Sequence, residues 1–333
     1  MALLLMDGFD LYLTGADLIS TGKWSVVVGF STTGGRFGGG AVTVSSVSGN
    51  ALTFALASVT ELWMGFALNS SGNIPLVTLT SALGDEFVLY YNAPGQTISA
   101  KRGATTLGTA AVYVPANLWT WVELRFKLHA TAGVVEAWIN GVQVLNLTAQ
   151  NTLNNGGATS ITSCTLVKGG NIGAAFDDLY VLDTTGPSPL NGRLGDCRIY
   201  TAVPTADAGP NNGTLSTGTT HWGVVDEVRY NTTDYTTITN TSGQGEYFTT
   251  TSFLGTTQTV YAVKVTTVVE KSDAGAANNE IGIRSGSTWA YGSSYPLSTT
   301  WSFNSAMFTV DPATSAQWTA SATNSLVFGC QVV

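Results

Sequence analysis

The sequence predicts an all-β protein, and three observations support this prediction. Only 10% of the 333 residues are charged, against roughly 25% in an average soluble domain, and Ser, Thr, Asn and Gly fill the polar positions instead. Strand-like runs recur between turn residues along the whole chain. The stretch VVEAWINGVQVLNL, at 134–147, is the clearest hairpin, because apolar and polar residues alternate on both sides of Asn140-Gly141.

The segment WTWVELRFKL, at 119–128, is the clearest single strand. Its period of two separates an apolar face from a charged face. The buried face is predicted to hold Val122, Leu124, Phe126 and Leu128, and the solvent face Glu123, Arg125 and Lys127.

The hairpin that follows is predicted to turn through a type I′ turn, since Asn and Gly both accept positive φ. This register pairs Ile139 with Val142 and Ala137 with Val144. The opposite face is predicted to carry Glu136, Trp138, Gln143 and Leu145. Residues 119–147 therefore form a three-stranded meander with one buried face, and a one-residue slip would turn every apolar side chain outward.

Further strands are predicted on both sides of this meander, at 23–30, 41–46, 51–56, 61–68, 86–91, 162–167 and 176–183. The stretch TTGPSPLNGRLGD, at 184–196, then concentrates prolines and glycines, which is typical of a linker. The sequence predicts two domains, the first over 1–186 and a smaller β-sandwich-like one over 187–333.

The second domain has its own strand candidates, at 197–203, 258–271, 280–286, 301–310 and 325–333. Two segments are predicted to be loops, at 234–248 and 289–301. One short helix is expected at 311–318, because Pro312 follows Asp311 at a first-turn position.

Composition excludes several classes of function. The net charge is −8 with a pI near 4.6, so a nucleic-acid partner is not expected. No run of 18 apolar residues occurs, which predicts no membrane insertion, and the N-terminus lacks the basic region of a secretory signal. The three cysteines, Cys164, Cys197 and Cys330, have no paired spacing and are expected to be free thiols.

Four motifs in order resemble the concanavalin A-like, laminin-G-like superfamily. They are GRFGGGAV at 35–42, WTWVEL at 119–124, VEAWING at 135–141 and FDDLYVLD at 176–183. The resemblance covers about residues 1–185 and implies a jelly-roll sandwich for the first domain. Members of this superfamily include glucanases, lectins and scaffolds, so the function has to be argued from sites.

Three longer stretches resemble virion proteins of tailed bacteriophages. They begin at Asp7 (DGFDLYLTGADLISTGKW), Asn191 (NGRLGDCRIYTAVPTADAG) and Asp311 (DPATSAQWTASATNSLVFGCQVV). This resemblance implies a particle component of the tail or capsid, often in multiple copies, assembled in the cytoplasm of a bacterial host.

Retaining hydrolysis of a glycoside needs two carboxyl groups about 5 Å apart. The candidates Glu123, Glu136 and the pair Asp85-Glu86 do not match the glucanase pattern, and we interpret them as surface charges. His129 and His221 lack the sequence context of a catalytic triad and are expected to be structural. No catalytic residue is predicted.

The strand FDDLYVLD contains the adjacent acids Asp177 and Asp178. The superfamily resemblance implies calcium as a candidate ligand there, because calcium is bound by carboxylate and carbonyl oxygens. The alternative is that one Asp caps a turn and the other is solvated. No other cofactor is expected.

Aromatic residues are the remaining signal. Trp119, Trp121 and Trp138 are predicted on the face opposite the apolar one, and 289–301 is a second aromatic-rich segment. The candidate ligand- or interface-binding residues are Trp119, Trp121, Trp138, Trp289, Tyr291 and Tyr295. Packing at a sandwich edge, a subunit interface and a platform for sugar rings are three interpretations that stay open.

The sequence therefore predicts a non-enzymatic structural component of a bacteriophage virion, located in the tail or as a capsid decoration. It would present a lectin-like sandwich, form a homo-oligomer and contact other virion proteins. Two alternatives remain. One is a host-attachment adhesin that recognises surface glycans, and the other is a polysaccharide depolymerase.

Overall fold

The structure is a computed structural model. It describes residues 3–26, 30–31, 33–44, 52–70, 72–168 and 173–333. Residues 27–29, 45–46 and 51 of the predicted strands lie outside these ranges. The chain divides into two compact units, Met1–Tyr200 and Thr201–Val333. The predicted boundary at 186 is too early, because the residues up to Tyr200 pack with the first unit.

The first unit is built from antiparallel strands and one short helix, α1 (Gly15–Ser20). Its strands in chain order are β1 (Leu3–Asp7), β2 (Trp24–Val26), β3 (Phe30–Ser31), β4 (Ala41–Val44), β5 (Leu52–Val59), β6 (Glu61–Ser70), β7 (Ile74–Ser81), β8 (Gly84–Asn92), β9 (Thr97–Arg102), β10 (Thr105–Ala111), β11 (Thr120–Lys127), β12 (Gly133–Ile139), β13 (Val142–Gln150), β14 (Ile161–Leu166) and β15 (Ala174–Asp183).

These strands form two sheets. The eight-stranded sheet has the order β13-β12-β11-β6-β15-β4-β3, with β1 also paired to β15, and the seven-stranded sheet has the order β10-β9-β8-β7-β14-β5-β2. The aromatic rings of Phe87 on β8 and Phe126 on β11 meet between the sheets, with centroids 4.8 Å apart. The first unit is thus the predicted jelly-roll sandwich.

Strand β11 shows how the sequence pattern produces this core. Its predicted apolar face is buried as expected, with Val122, Leu124 and Phe126 fully inaccessible to solvent. These side chains face the seven-stranded sheet, so the opposite side of β11 belongs to the outer face of the eight-stranded sheet. That outer face carries Glu123 and Arg125.

The predicted type I′ turn between β12 and β13 is confirmed, with φ of 48° at Asn140 and 80° at Gly141. The predicted pair Ile139–Val142 is also present. The predicted pairing of Ala137 with Val144 is wrong, because a register shift places Ala137 opposite Leu145. This bulge turns Leu145 into the core, where it is buried, instead of onto the outer face as predicted.

The second unit contains the strands β16 (Ala206–Asp207), β17 (Thr214–Leu215), β18 (Thr236–Thr237), β19 (Gly245–Thr249), β20 (Val263–Val269), β21 (Asn278–Ser285), β22 (Thr288–Pro296), β23 (Ser302–Phe308) and β24 (Val327–Val332). A 3₁₀ turn spans Trp222–Val224, and helix α2 spans Ala320–Asn324. A five-stranded sheet has the order β16-β19-β24-β21-β22, and two ribbons pair β17 with β18 and β20 with β23.

The core of the second unit lies between the five-stranded sheet and the β20-β23 ribbon. Ile281 and Ile283 of β21 are fully buried against Val265 of β20 and Phe308 of β23, and Trp318 closes the cluster. This sandwich-like arrangement agrees with the predicted class. It also leaves the other side of the five-stranded sheet outside this core.

Several local predictions in this half are wrong. No strand forms at 197–203, whereas the predicted loops at 234–248 and 289–301 contribute β19 and β22. The segment 311–318 is a turn and not a helix, since Ser315 adopts φ of 56° and the Asp311 carboxylate accepts from the Ala313 N–H. Helix α2 follows it, capped by the Thr319 side chain.

Cys164, Cys197 and Cys330 are free thiols, as expected. Among the described residues, no helix is both long and apolar enough to cross a membrane.

Candidate ligand-binding site

Residues 190–200, here called the strap, lie on the outer face of the eight-stranded sheet. Leu190 is buried, with 4% of its surface exposed. Backbone N–H groups of the strap donate to side chains of β11 and β15. These bonds run from Gly195 to Glu123 (2.9 Å), from Leu194 to the Tyr180 hydroxyl (3.3 Å) and from Ile199 to Asp178 (2.7 Å). The strap therefore covers the part of the sheet where Glu123 lies.

Glu123 is fully buried under the strap, so its predicted place on a solvent face is wrong. The Arg193 guanidinium donates to its Oε2, with Nη2 at 2.7 Å and Nε at 2.8 Å. The Tyr180 hydroxyl donates to Oε1 at 2.9 Å, beside the strap's backbone N–H. Burial of a carboxylate is tolerable only with such partners. Glu123 thus ties the strap to the sheet.

Two of the predicted aromatic residues of the first unit, Trp121 and Trp138, lie near this contact, beside Tyr180 and Arg193 respectively. Trp121 is 1% exposed, which contradicts its predicted exposed position, and its ring lies 5.3 Å from the Arg36 guanidinium. Trp138 is half-buried and stacks on Trp63 with centroids 5.5 Å apart. Trp119 precedes β11 and is half-buried. Trp121 and Trp138 are therefore packed within the chain.

The acids Asp177 and Asp178 are both buried, at 4% and 2% exposure, so the predicted solvation of one of them is wrong. Asp177 accepts from the backbone N–H groups of Arg36 and Asp178. Burial raises the pKa of Asp177 to about 7, and the neighbouring Asp178 charge adds to this shift. Burial likewise raises the pKa of Asp178 to about 6.

The residues around these acids do not fit a calcium ion. The Asp178 Oδ2 atom is buried without a hydrogen-bond partner, but the Arg36 guanidinium lies 3.7 Å from it. Arg198 lines the same small polar cavity together with Asp10. Two guanidinium groups already supply the positive charge that a cation would supply. In the described ranges, moreover, no group of three or more His, Cys, Asp or Glu side chains could hold a metal.

The other titratable candidates of the first unit have structural partners. Glu86 is fully buried, contrary to its predicted surface position, and accepts from the backbone N–H groups of 154 and 155. Those donors lower its pKa against the opposing effect of burial. Asp85 pairs with Lys168 at the surface, and Glu136 pairs with Arg125. The His129 Nδ1 atom accepts from the backbone of the turn that follows it.

The second unit presents a different kind of surface, which we call the aromatic face. It is the side of the five-stranded sheet opposite the core. Alternation along β21 directs Ile281 and Ile283 into the core and their neighbours to the aromatic face. By register, this face holds Tyr247 of β19, Gly329 and Gln331 of β24, Glu280, Gly282 and Arg284 of β21, and Trp289 and Tyr291 of β22.

Trp289 and Tyr291 form a stacked pair on the aromatic face. Their ring centroids are 5.6 Å apart with an interplanar angle of 13°. Tyr291 is 39% exposed, and β22 is the edge strand of its sheet. Gly282 lies opposite Tyr291, and a Cβ added there would be 2.6 Å from the Tyr291 ring. The ring can lie over the neighbouring strand because Gly282 has no side chain.

Polar groups border the stacked pair. The Tyr247 hydroxyl donates to Gln331 Oε1 at 2.9 Å, and Gln331 Nε2 donates to Glu280 Oε2 at 3.4 Å. Burial, together with the Tyr291 hydroxyl, raises the pKa of Tyr247 well above its ordinary value. Tyr247 therefore remains a neutral hydroxyl. The Tyr247 ring also meets Trp289 edge-on, at 4.7 Å between centroids.

Arg284 completes the aromatic face at the other side of Trp289. Its guanidinium carbon lies 5.4 Å from the centroid of the Trp289 ring, within the range of a cation–π contact. Arg284 and Glu280 are both half-buried and four residues apart on the same strand. The stacked rings thus have an acid and an amide near one end and a cation near the other.

Tyr295, the third aromatic residue predicted in this segment, is directed to the opposite side. It packs against the core of the second unit, and its hydroxyl donates to the Ser305 carbonyl oxygen. A register shift in β22 between the partners of Glu280 and Gly282 separates it from Tyr291. The structure therefore brings Trp289 and Tyr291 together and leaves Tyr295 out.

His221 belongs to a separate contact in the second unit. Its Nδ1 atom lies 2.8 Å from Oε2 of the buried Glu246, whose Oε1 accepts from the Gly213 N–H. The Asp207 carboxylate accepts from the backbone N–H groups of His221 and Trp222. These bonds hold two loops against β19.

Sequence reasoning missed Tyr247, Glu280, Arg284 and Gln331 as members of the site. The alternating stretch EIGIR at 280–284 contained part of the signal, because it places Glu280, Gly282 and Arg284 on one face of a strand. The sequence predicts a loop at 289–301, so it does not indicate that this aromatic segment pairs with that strand.

Comparisons with known proteins assign no family. No protein-family model and no curated protein matches the chain. Solved structures resemble it at low identity. An alginate lyase, Aly36B, in complex with alginate trisaccharide is 13% identical with a TM-score of 0.42, covering 54% of this chain and 97% of its own. A galectin-like protein of unknown function from Bacillus subtilis is 12% identical with a TM-score of 0.38, covering 55% and 96%. The Emp46p carbohydrate recognition domain is 6% identical with a TM-score of 0.36, covering 52% and 96%. These similarities are too low to assign an activity.

Proposed function

We propose that the protein is a non-enzymatic glycan-binding component of a bacteriophage particle, and that it binds sugar through the aromatic face of its second unit. The observation that carries this proposal is the stack of the half-buried Trp289 on the exposed Tyr291. Sugar rings pack their C–H faces on aromatic rings, and their hydroxyls bond to flanking carboxylates and amides. Glu280 and Gln331 are groups of that kind beside the stack.

The contacts of the first unit support a structural role for it. The strap covers the part of its outer face around Glu123, and this acid, the nearest to a catalytic position, is engaged by Arg193, Tyr180 and Gly195. A carboxylate held in this way stabilises the fold. We assign ligand binding to the second unit because Trp289 there stacks on a tyrosine, Tyr291, that is open to solvent.

The particle context rests on the sequence resemblance to tailed-phage virion proteins. The tail and the capsid are both consistent with it, and we propose that the protein acts as a homo-oligomer among other virion proteins. A shallow face binds each sugar weakly, at roughly mM to µM. Several copies on one particle raise the apparent affinity through effective concentration. This arrangement suits host attachment.

The test is a glycan array with the purified protein, followed by titration calorimetry on the best ligand. We expect Tyr291→Ala to weaken binding by about tenfold or more, the loss of one good stacking contact (about 1.4 kcal/mol). Tyr113→Ala is the matched control, because Tyr113 is also an exposed tyrosine but lies in the first unit. Its affinity should equal that of the wild type.

Two results would overturn the proposal. The first is a wild-type protein that binds no glycan, or a Tyr291→Ala variant that binds as well as the wild type. The second is release of new reducing ends from a bound polysaccharide, because that would establish catalytic turnover.

A further inference from the structure

Arg284 is a cation without an anion on the aromatic face. Within the described part of the chain, no carboxylate lies within 4.0 Å of its guanidinium group, and its buried Nε atom has no hydrogen-bond partner. The one described contact of the guanidinium group is with the Trp289 ring, whose centroid is 5.4 Å from the guanidinium carbon. A half-buried guanidinium that lacks both an ion pair and a bond to Nε retains unsatisfied donors.

Three of the other arginines of this acidic protein, Arg36, Arg125 and Arg193, each form an ion pair with a carboxylate. The chain has 21 acidic residues against 13 basic ones, so carboxylates are abundant as partners. Glu280 lies on the same strand and face as Arg284, yet its carboxylate accepts from Gln331 instead. The Nη donors of Arg284 therefore remain available to a bound group, whereas its Nε atom is buried.

We infer that the aromatic face binds an acidic glycan, one whose sugar carries a carboxylate or a sulfate group. This inference rests on the proposed function and adds the charge class of its ligand. A sugar ring stacked on Trp289 and Tyr291 would have Arg284 at one end, where the planar guanidinium fork matches an oxyanion. Its hydroxyls would reach Gln331 and Glu280 at the other end.

The sheet geometry keeps the proposed anion-binding group, Arg284, apart from the carboxylate of Glu280. Glu280 and Arg284 are four residues apart on β21, a distance of about 13 Å along an extended strand. A negative group bound at Arg284 is thus well removed from the Glu280 carboxylate. The cation–π contact holds the guanidinium beside the rings, which limits the entropy lost when it binds an anion.

The experiment compares one glycan in charged and neutral forms. Oligogalacturonate and its methyl ester form the carboxylate arm, and sulfated dextran with plain dextran forms the sulfate arm. We expect the wild type to bind the charged form of at least one pair about tenfold or more tightly. Arg284→Gln should abolish that ratio, whereas Arg284→Lys should retain part of it. The arm that shows the ratio identifies the anionic group.

The readout is the ratio of the affinities for the charged and the neutral form. A change in the packing of Trp289 would weaken the binding of both forms equally and leave this ratio unchanged. Arg102→Gln is the control, since Arg102 lies in the first unit and donates to a backbone carbonyl; it should leave the ratio unchanged. Equal binding of both forms in both arms overturns this inference but leaves the proposed function standing. No binding in either arm or on the array overturns both. A ratio unchanged in Arg284→Gln overturns the assignment to Arg284.

Discussion

The carboxylate of Glu123 shows what a strand pattern does and does not reveal about one side chain. Alternation in β11 correctly separates Glu123 from the apolar core face. The same pattern predicts that Glu123 is solvated, although the structure buries it completely. Its partner Arg193 comes 70 residues later in the chain. A local period determines the face on which a residue lies, and only tertiary contacts determine whether that face is covered.

Asp177 is a second buried acid on the outer face of the eight-stranded sheet. Its raised pKa predicts how the stability of the protein depends on pH. Its pKa in the folded chain is raised from 3.8 to about 7, mainly by burial. Between about pH 4 and pH 7 the folded state therefore holds a proton that the unfolded state has released. The contribution of this group to stability is fully present below pH 4 and declines as the pH rises to 7.

We expect Asp177→Asn to remove that decline. The free energy of unfolding of the variant, relative to the wild type, should increase from pH 4.5 to pH 7.5, by on the order of 2 kcal/mol. Urea unfolding at several pH values measures this difference directly. The variant also loses one of the two backbone hydrogen bonds to this side chain, because an amide nitrogen cannot accept, but that cost is the same at every pH. A difference that is constant or falls with pH would show that the Asp177 carboxyl is not protonated in the folded state.

The edge strand β22 shows, for a whole segment, that a local sequence pattern does not reveal tertiary contacts. Residues 289–301 contain Gly292 and a run of Ser and Thr, which is typical of a loop. Pairing with β21 nevertheless makes most of this segment a strand, with Trp289 and Tyr291 on one face of the sheet and Tyr295 on the other. In the hairpin of the first unit, by contrast, Asn140-Gly141 predicted the turn and only the bulge near Leu145 was missed. Turn chemistry is local, whereas bulges and edge pairing depend on the partner strand.

The stacked pair on β22 depends on the absence of a side chain at Gly282 on β21. A methyl group there would lie 2.6 Å from the Tyr291 ring, so we expect Gly282→Ala to displace the ring and separate it from Trp289. Glycan affinity should fall by about tenfold, while the free energy of unfolding changes by less than about 1 kcal/mol, because Ala suits a strand better than Gly. Calorimetry and urea unfolding measure these two quantities.

Gly156→Ala is the matched control for this substitution, since a Cβ at Gly156 would have no other atom within 4 Å. Its glycan affinity should equal that of the wild type. Retained affinity in Gly282→Ala would show that the Tyr291 ring does not need its position over β21 for binding.

The division of the whole chain was predictable in outline. Low charge, regular turns and the clear meander at 119–147 predicted the all-β class and the sandwich, because these features follow from strand periodicity. The segment rich in Pro and Gly, at 184–196, indicated the end of the first unit. Its composition predicts a linker, since nothing local in those residues indicates that Arg193 and Gly195 bind Glu123 across the sheet.

The contact between the strap and Glu123 predicts that two fragments of the first unit differ in stability. A fragment of residues 1–200 keeps the strap, whereas a fragment of residues 1–186 leaves Glu123 with only the Tyr180 hydroxyl. Loss of one partner from a buried ion pair costs about 3–5 kcal/mol, so the shorter fragment should unfold at a clearly lower urea concentration. Glu123→Gln in the longer fragment should lower its midpoint in the same direction, because it breaks the same contact. Equal midpoints for the two fragments would show that the strap does not stabilise the sandwich, and that the sequence boundary at 186 was adequate.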